Sequence, residues 1–208
     1  MDNILLTGGH GHLGKELIKH FDLLATPTHE QLDITKPLKR QDFDLIIHAA
    51  AYTKVAAAET KKGQKECQRV NVDGTLNLLK TYIGIPFVFI SSEYAIRPVN
   101  FYSETKTVGE MLTMVWGRPY LIIRTLFKPR PYPFDVAFGD QYTRGDYVDV
   151  IAKLIAGAIK KWDRKTSKII HVGTKRKTLY ELARQTKPDV KMNSIKDITE
   201  VRIPADYL

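Results

Sequence analysis

Tyr102 and Lys106 stand four residues apart in the stretch FYSETKTVGEM. In a helix that spacing puts both side chains on one face. A free tyrosine titrates at about 10 and moves protons poorly at neutral pH. A neighbouring ammonium favours the phenolate and lowers that value. Such a phenol can protonate a ketone oxygen as hydride reaches the carbon, or deprotonate an alcohol in reverse. Upstream, the apolar run Pro86 to Ser91 reads as a strand and ends in Ser91, Ser92, Glu93 and Tyr94. In a doubly wound sheet, ligands sit beyond the carboxyl ends of the strands. Ser92 is therefore the expected partner of the carbonyl oxygen, Glu93 the expected substrate-holding or proton-transfer carboxylate, and Tyr94 a further expected substrate-binding residue. Serines ending a strand also serve as caps and turn residues. A Tyr and a Lys four apart describe many surface helices, so the remaining elements must supply what this chemistry requires.

The first such element is NILLTGGHGHLGKELIKHF. Ile4 to Thr7 suits a buried parallel strand, and a helix is expected from about His12 to Phe21 with Leu13, Leu17, Ile18 and Phe21 on its apolar face. Gly8, Gly11 and Gly14 fall between strand and helix. Gly8 permits the tight turn, Gly11 lets backbone approach a pyrophosphate, and Gly14 lets helix and strand pack closely. The helix N-terminus offers N–H groups to the phosphates. The spacing is not that of an ATP-hydrolysing P-loop. His10 and His12 read as phosphate neighbours, with Leu13 beside them. No carboxylate or cysteine stands near them in sequence, so no metal site is expected.

A second strand is expected near Leu23 to Pro27, and a short third one ending at Asp33. An acid at the tip of the second strand would hold a ribose diol and repel a 2'-phosphate. The tip instead reads Thr26, Pro27, Thr28, His29, with the first acid at Glu30. Lys15, Lys36 and Arg40 lie in the same half, so NADP(H) is favoured over NAD(H). Asp33 and Ile34 are placed beside the adenine. Phe43 to His48 reads as the next strand and runs into Ala49, Ala50, Ala51 and Tyr52, small residues against which a cofactor can lie. Residues 54 to 82 read as one helical region in which Asn71 and Asn77 anchor backbone. A helix from Tyr102 to Trp116 and a strand from Tyr120 to Thr125 complete this half.

The chain of 208 residues, 43% hydrophobic, has room for one large domain, or one with a small appendage. No apolar run approaches a membrane span, and the opening MDNILLTGG does not read as a signal peptide. The single cysteine, Cys67, excludes an internal disulfide framework. Cytoplasmic residence is expected. The net charge of +9 invites a nucleic-acid reading. The positives are dispersed, however, and a basic surface equally attracts an anionic cofactor and substrate.

Seven segments, TGGHGHLGKEL, LDIT, HAAAYTKV, NVDGTLNLL, ISSEYA, YSETKTVGE and IIRT, resemble in order and spacing the extended short-chain dehydrogenase/reductase family over about the first 125 residues. Within it they are most similar to the dTDP-4-dehydrorhamnose reductase group. The resemblance implies a Rossmann-type doubly wound parallel sheet of the α/β class, with a cofactor domain over residues 1–126. It also implies a small, reduced substrate-binding region over 127–208, parts of which can return to the first domain. It implies a catalytic set of Ser92, Tyr102 and Lys106. Tyr102 is the acid in reduction, and Lys106 holds the nicotinamide ribose and lowers the phenol pKa. Ser92 replaces the group's frequent threonine, Glu93 its aspartate, and Asn71 matches its structural asparagine. Arg144 matches a basic residue set against the substrate diphosphate. The segments 140–155 and 169–185 resemble parts of the substrate domain. Relatives often pair through two helices per subunit, which implies a homodimer.

The chain departs from its relatives after IIRT. Pro129, Pro131 and Pro133 forbid a regular helix there, and the substrate half is expected to be trimmed. The leading reading is reduction of a 4-keto-6-deoxy-sugar nucleotide by NAD(P)H. The alternatives are a sugar-nucleotide epimerase or dehydratase that retains NAD, and a non-catalytic NADP-binding regulatory subunit.

Overall fold

The structure, a computed structural model, describes residues 2–22, 24–116, 119–198 and 201–206. In chain order the longer strands of the first half are β1 (Ile4–Thr7), β2 (Leu24–Ala25), β3 (Leu45–His48), β4 (Phe87–Ile90) and β5 (Tyr120–Arg124). The strands that follow are β6 (Phe127–Lys128), β7 (Val136–Phe138), β8 (Tyr142–Thr143), β9 (Asp146–Tyr147), β10 (Lys168–His171), β11 (Lys177–Thr178) and β12 (Lys191–Asn193). The helices are α1 (His12–Ile18), α2 (Lys61–Gln68), α3 (Gly74–Thr81), α4 (Phe101–Val115), α5 (Val148–Lys161) and α6 (Leu179–Arg184). Six strands form one parallel sheet in the order β10-β5-β4-β3-β1-β2. This is the Rossmann-type arrangement.

Successive side chains of a strand point to opposite faces. Leu6, Ile47, Val88 and Ile123 accordingly meet Leu13 and Leu17 of α1 and Ile151, Ile155 and Ile159 of α5. Leu5, Ile46, Phe87, Phe89 and Ile122 meet Leu78, Leu79 and Tyr82 on the other side. Both faces are covered, which is why these strands read as unbroken apolar runs.

Three expectations are corrected. No strand ends at Asp33. Its carboxylate accepts from the Thr35 N–H (3.0 Å) and hydroxyl (2.7 Å), and that closes a turn. The expected strand near Leu23 to Pro27 is two residues long in the described part, and Leu23 lies outside the described residues. The helical region 54–82 is not continuous. Thr60 caps α2 through the Gly63 N–H, and a π-helical turn at Arg69–Asp73 separates α2 from α3. Such turns insert a residue and re-aim a side chain, here Asn71.

The apolar stripe of α5 packs beside α1, and β10 adds to the sheet beside β5. Only β6 to β9, β11, β12 and α6 build the smaller region. Its core joins Tyr132, Ala137, Tyr147, Leu179 and Leu182 to Tyr94 and Tyr102. Residues 126–140 hold short strands and loops, with no helix.

Candidate active site

A cavity of about 780 Å³ lies at the carboxyl ends of β1, β3, β4 and β5. Each strand hands over a different kind of residue. After β1 come the glycines, after β3 Ala49 to Ala51, after β4 Ser91 and Ser92, and after β5 Thr125 to Lys128. The position is the one at which open α/β sheets bind ligands.

The glycine turn is built from backbone. Gly8 has φ of +74°, and a Cβ there would lie 2.6 Å from the Ala50 nitrogen. A Cβ on Gly14 would lie 2.2 Å from the Gly8 carbonyl oxygen, so α1 sits directly on the turn. Gly11 begins α1 with no side-chain cap. His10, His12, Leu13, His29, Ile34 and the three alanines line the same cavity. A side-chain-free concave turn opening a helix fits a pyrophosphate, and these are the residues that could hold a dinucleotide. Among the described residues no group of acids, histidines or cysteines could hold a metal ion.

Buried hydroxyls tie this turn to the sheet. The Thr75 hydroxyl donates to the Asn71 carbonyl (2.7 Å), so it accepts from Nε2 of His48 (3.0 Å). That tautomer leaves Nδ1 to accept from the Thr7 hydroxyl (2.7 Å). Burial, and then the charge of Lys106, lower the His48 pKa to about 3, so the ring is neutral.

Tyr102 and Lys106 both face inward from α4, which starts at a capping box between Asn100 and Ser103. Tyr102 and Ser92 line the cavity, and the Ser92 side chain lowers the pKa of the phenol. The Ser92 oxygen also accepts from the Tyr94 N–H (3.1 Å), so the catalytic and capping readings of Ser92 hold together. The expected pKa effect of Lys106 is corrected. Burial pushes the phenol above its ordinary value, and the group that pulls it back is Ser92 rather than the ammonium. Lys106 donates to the Ile90 carbonyl (2.8 Å) and stands 4.3 Å from the centroid of the Phe89 ring, outside the cavity lining. Burial lowers its own pKa to about 8, although the charges of Glu110 and Cys67 work the other way.

Other expected site residues are placed elsewhere. Asn71 accepts from the Tyr52 N–H (2.8 Å) and donates to the Tyr52 carbonyl (3.2 Å) and the Thr105 hydroxyl (3.0 Å). It is a backbone clamp, and neither it nor Tyr52 lines the cavity. Thr28 and Asp33 also stand off it, Thr28 paired with Gln31 and Asp33 with Thr35. Glu93 is fully buried and points away from Ser92. It accepts from the Thr143 hydroxyl (2.6 Å), from the Arg144 N–H (3.2 Å) and from Nε2 of His171 (2.8 Å). These bonds use both carboxylate oxygens, so Glu93 fastens the smaller region to β10. Arg144 is exposed and takes part through its backbone.

Sequence reasoning missed the wall formed by Thr125, Leu126, Phe127, Lys128, Pro129, Pro133 and Phe134. It favoured Ser92 over Ser91, and both line the cavity. The Ser91 hydroxyl donates to Glu110 (2.6 Å), which is itself paired with Arg124 (2.6 Å). The three prolines were the available signal, because rigid extended chain is suited to a cavity wall.

The family model described as RmlD substrate binding domain matches residues 1–127. The chain belongs to the RmlD substrate binding domain family. Within that family's reach it is 27% identical over 145 residues to dTDP-4-dehydrorhamnose reductase of Burkholderia thailandensis, covering 59% of this chain and 49% of that one. It is 28% identical over 180 residues to the protein of the same name from Mycolicibacterium smegmatis, covering 74% and 51%. The chain thus spans about half the length of these curated relatives. A crystal structure of the dTDP-4-dehydrorhamnose reductase ortholog from Clostridium acetobutylicum superposes with a TM-score of 0.83 at 22% identity, covering 98% of this chain and 88% of the other. That likeness is one of fold. Among the described residues, no helix is long and apolar enough to cross a membrane.

Proposed function

We propose that this RmlD-family chain is a cytoplasmic NADP(H)-dependent reductase of a 4-keto-6-deoxy-sugar nucleotide, acting as a homodimer. The observation that carries this reading is Tyr102, together with Ser92, in the wall of the cavity that the glycine turn opens into. The curated relatives named above supply the substrate class.

NADPH, when bound, supplies the hydride. Gly8, Gly11 and Gly14 would hold its pyrophosphate and Ala49 to Ala51 its nucleoside, while His29 lines the cavity and no described carboxylate does, which suits a 2'-phosphate. The Ser92 hydroxyl orients the sugar carbonyl against Tyr102. The phenol gives its proton to the carbonyl oxygen as that oxygen gains charge. A phenol held above its ordinary pKa stays protonated at neutral pH, as a proton donor must. Lys106 is the buried cation on the same helix face. Released from Ile90, it would stabilise the phenolate left behind and bind the nicotinamide ribose. Exposed Val108, Met111 and Val115 on α4 offer apolar surface for a second copy.

The test is to mix the purified chain with NADPH, or with NADH, and a panel of 4-keto-6-deoxy sugars on different nucleoside diphosphates. The expected result is consumption of NADPH matched by the hydroxy sugar, with NADH slower. Tightly held oxidised NAD with an epimerised or dehydrated product would replace this reading.

A further inference from the structure

Arg144, the basic residue that the resemblance sets against the substrate diphosphate, is exposed and does not line the cavity. Among the described residues that do line it there is no carboxylate, and the one lysine or arginine is Lys128. Lys128 is half-buried in β6, beyond the end of β5. Its ammonium stands 5.4 Å from the centroid of the Phe134 ring, and no salt bridge to it is formed by the described carboxylates. Burial lowers its pKa to about 8. Three residues upstream, the side chain of Thr125 also lines the cavity. Its hydroxyl is buried and has no hydrogen-bond partner. Such a hydroxyl is a donor still to be matched. One wall therefore carries an unmatched donor and an unmatched positive charge.

The glycine turn follows β1, and β5 lies three strands away in the order β5-β4-β3-β1. At about 4.8 Å per strand that is roughly 14 Å, so a pyrophosphate on the glycine turn leaves this wall free for a second anion. Ser92 and Tyr102, at the end of β4 and on α4, come between the two. From this we infer that Lys128 and Thr125 form the diphosphate-binding wall for the sugar-nucleotide substrate, in place of Arg144. The inference rests on the reductase reading for the identity of the substrate. The wall itself is defined by its chemistry, an ammonium and a hydroxyl for phosphate oxygens.

The test measures binding of dTDP and of UDP to the NADP-loaded chain by calorimetry, and binding of NADPH separately, in wild type, Lys128→Met, Lys128→Arg, Thr125→Val and Arg144→Met. Charged hydrogen bonds of this kind should cost Lys128→Met about tenfold or more in nucleoside diphosphate affinity, and Thr125→Val about threefold to tenfold. Lys128→Arg should retain most of the affinity, Arg144→Met should match wild type, and NADPH affinity should stay within about twofold throughout. Wild-type affinity in Lys128→Met would overturn the inference. So would an equal loss of NADPH affinity, which would assign Lys128 to the cofactor, or a wild-type chain that binds neither diphosphate. Diphosphate binding through Lys128 with no ketone reduced leaves the wall in place and removes the reductase reading. Reduction that Lys128→Met performs at wild-type KM does the reverse.

Discussion

The two ends of the cavity are made by opposite means. At the β1–α1 end the shape comes from missing side chains. Gly8 meets Ala50, and Gly14 meets Gly8 and Gly9, at distances that admit no Cβ. At the β4–β5 end it comes from side chains that converge from far apart in sequence. Glu93 meets Thr143 and His171, fifty and seventy-eight residues on, and Ser91 meets Glu110 and through it Arg124. The first end is shaped by backbone, that of the β1–α1 turn and of the residues that follow β3. The second needs the smaller region to be folded and docked, because Glu93 is held by Thr143 and Arg144.

The largest expected effect breaks the backbone-built end. Gly14→Val puts a branched side chain where even a Cβ lies 2.2 Å from a carbonyl oxygen. It should cost more than about 3 kcal/mol and abolish NADPH binding. Thermal unfolding and a cofactor titration read both, and a variant that folds and binds normally would show that the turn is not tightly packed.

Glu93→Gln probes the other end. It removes the charge that faces His171 and presents an amide to donors already placed there. A loss of about 2–3 kcal/mol by urea unfolding is expected, with NADPH affinity kept. Lost turnover at unchanged stability would return Glu93 to the chemistry.

A pH titration probes the buried histidine that ties the glycine turn to the sheet. His48 titrates at about 3 in the fold against 6.5 in the unfolded chain. Below 6.5 the unfolded chain takes up a proton that the folded ring refuses. The stability from neutral His48 is therefore complete above pH 6.5 and is lost as pH falls towards 3, in total on the order of a few kcal/mol. His48→Gln should be less stable at neutral pH and lose less on acidification. Parallel urea midpoints for the two proteins from pH 7 to pH 4 would contradict this.

The same contrast sets what could be read from residue order. The strand–glycine–helix start was legible because turn, cradle and close packing are demands on single positions. The central strands were legible because both of their faces are buried. The inward pairing of Tyr102 with Lys106 followed from helical period. Where Lys106 sends its ammonium did not follow, because the Ile90 carbonyl that takes it belongs to another strand. Glu93 looked catalytic because it follows Ser92, yet the short helical turn after β4 carries it away from the cavity. Asn71 is aimed by a π-helical turn that no periodicity announces. Lys128 went unnoticed because an isolated lysine among prolines carries no pattern. Its meaning lies in a cavity lining that, among the described residues, holds no carboxylate and no other lysine or arginine.

The central claim is that the Tyr102 phenol delivers the proton during ketone reduction. Tyr102→Phe removes one oxygen from a buried ring. The account predicts a fall in kcat of about 10²–10⁴-fold with NADPH and a 4-keto-6-deoxy-sugar nucleotide, and an NADPH affinity close to that of wild type. A variant that turns over within a few-fold of wild type would contradict it.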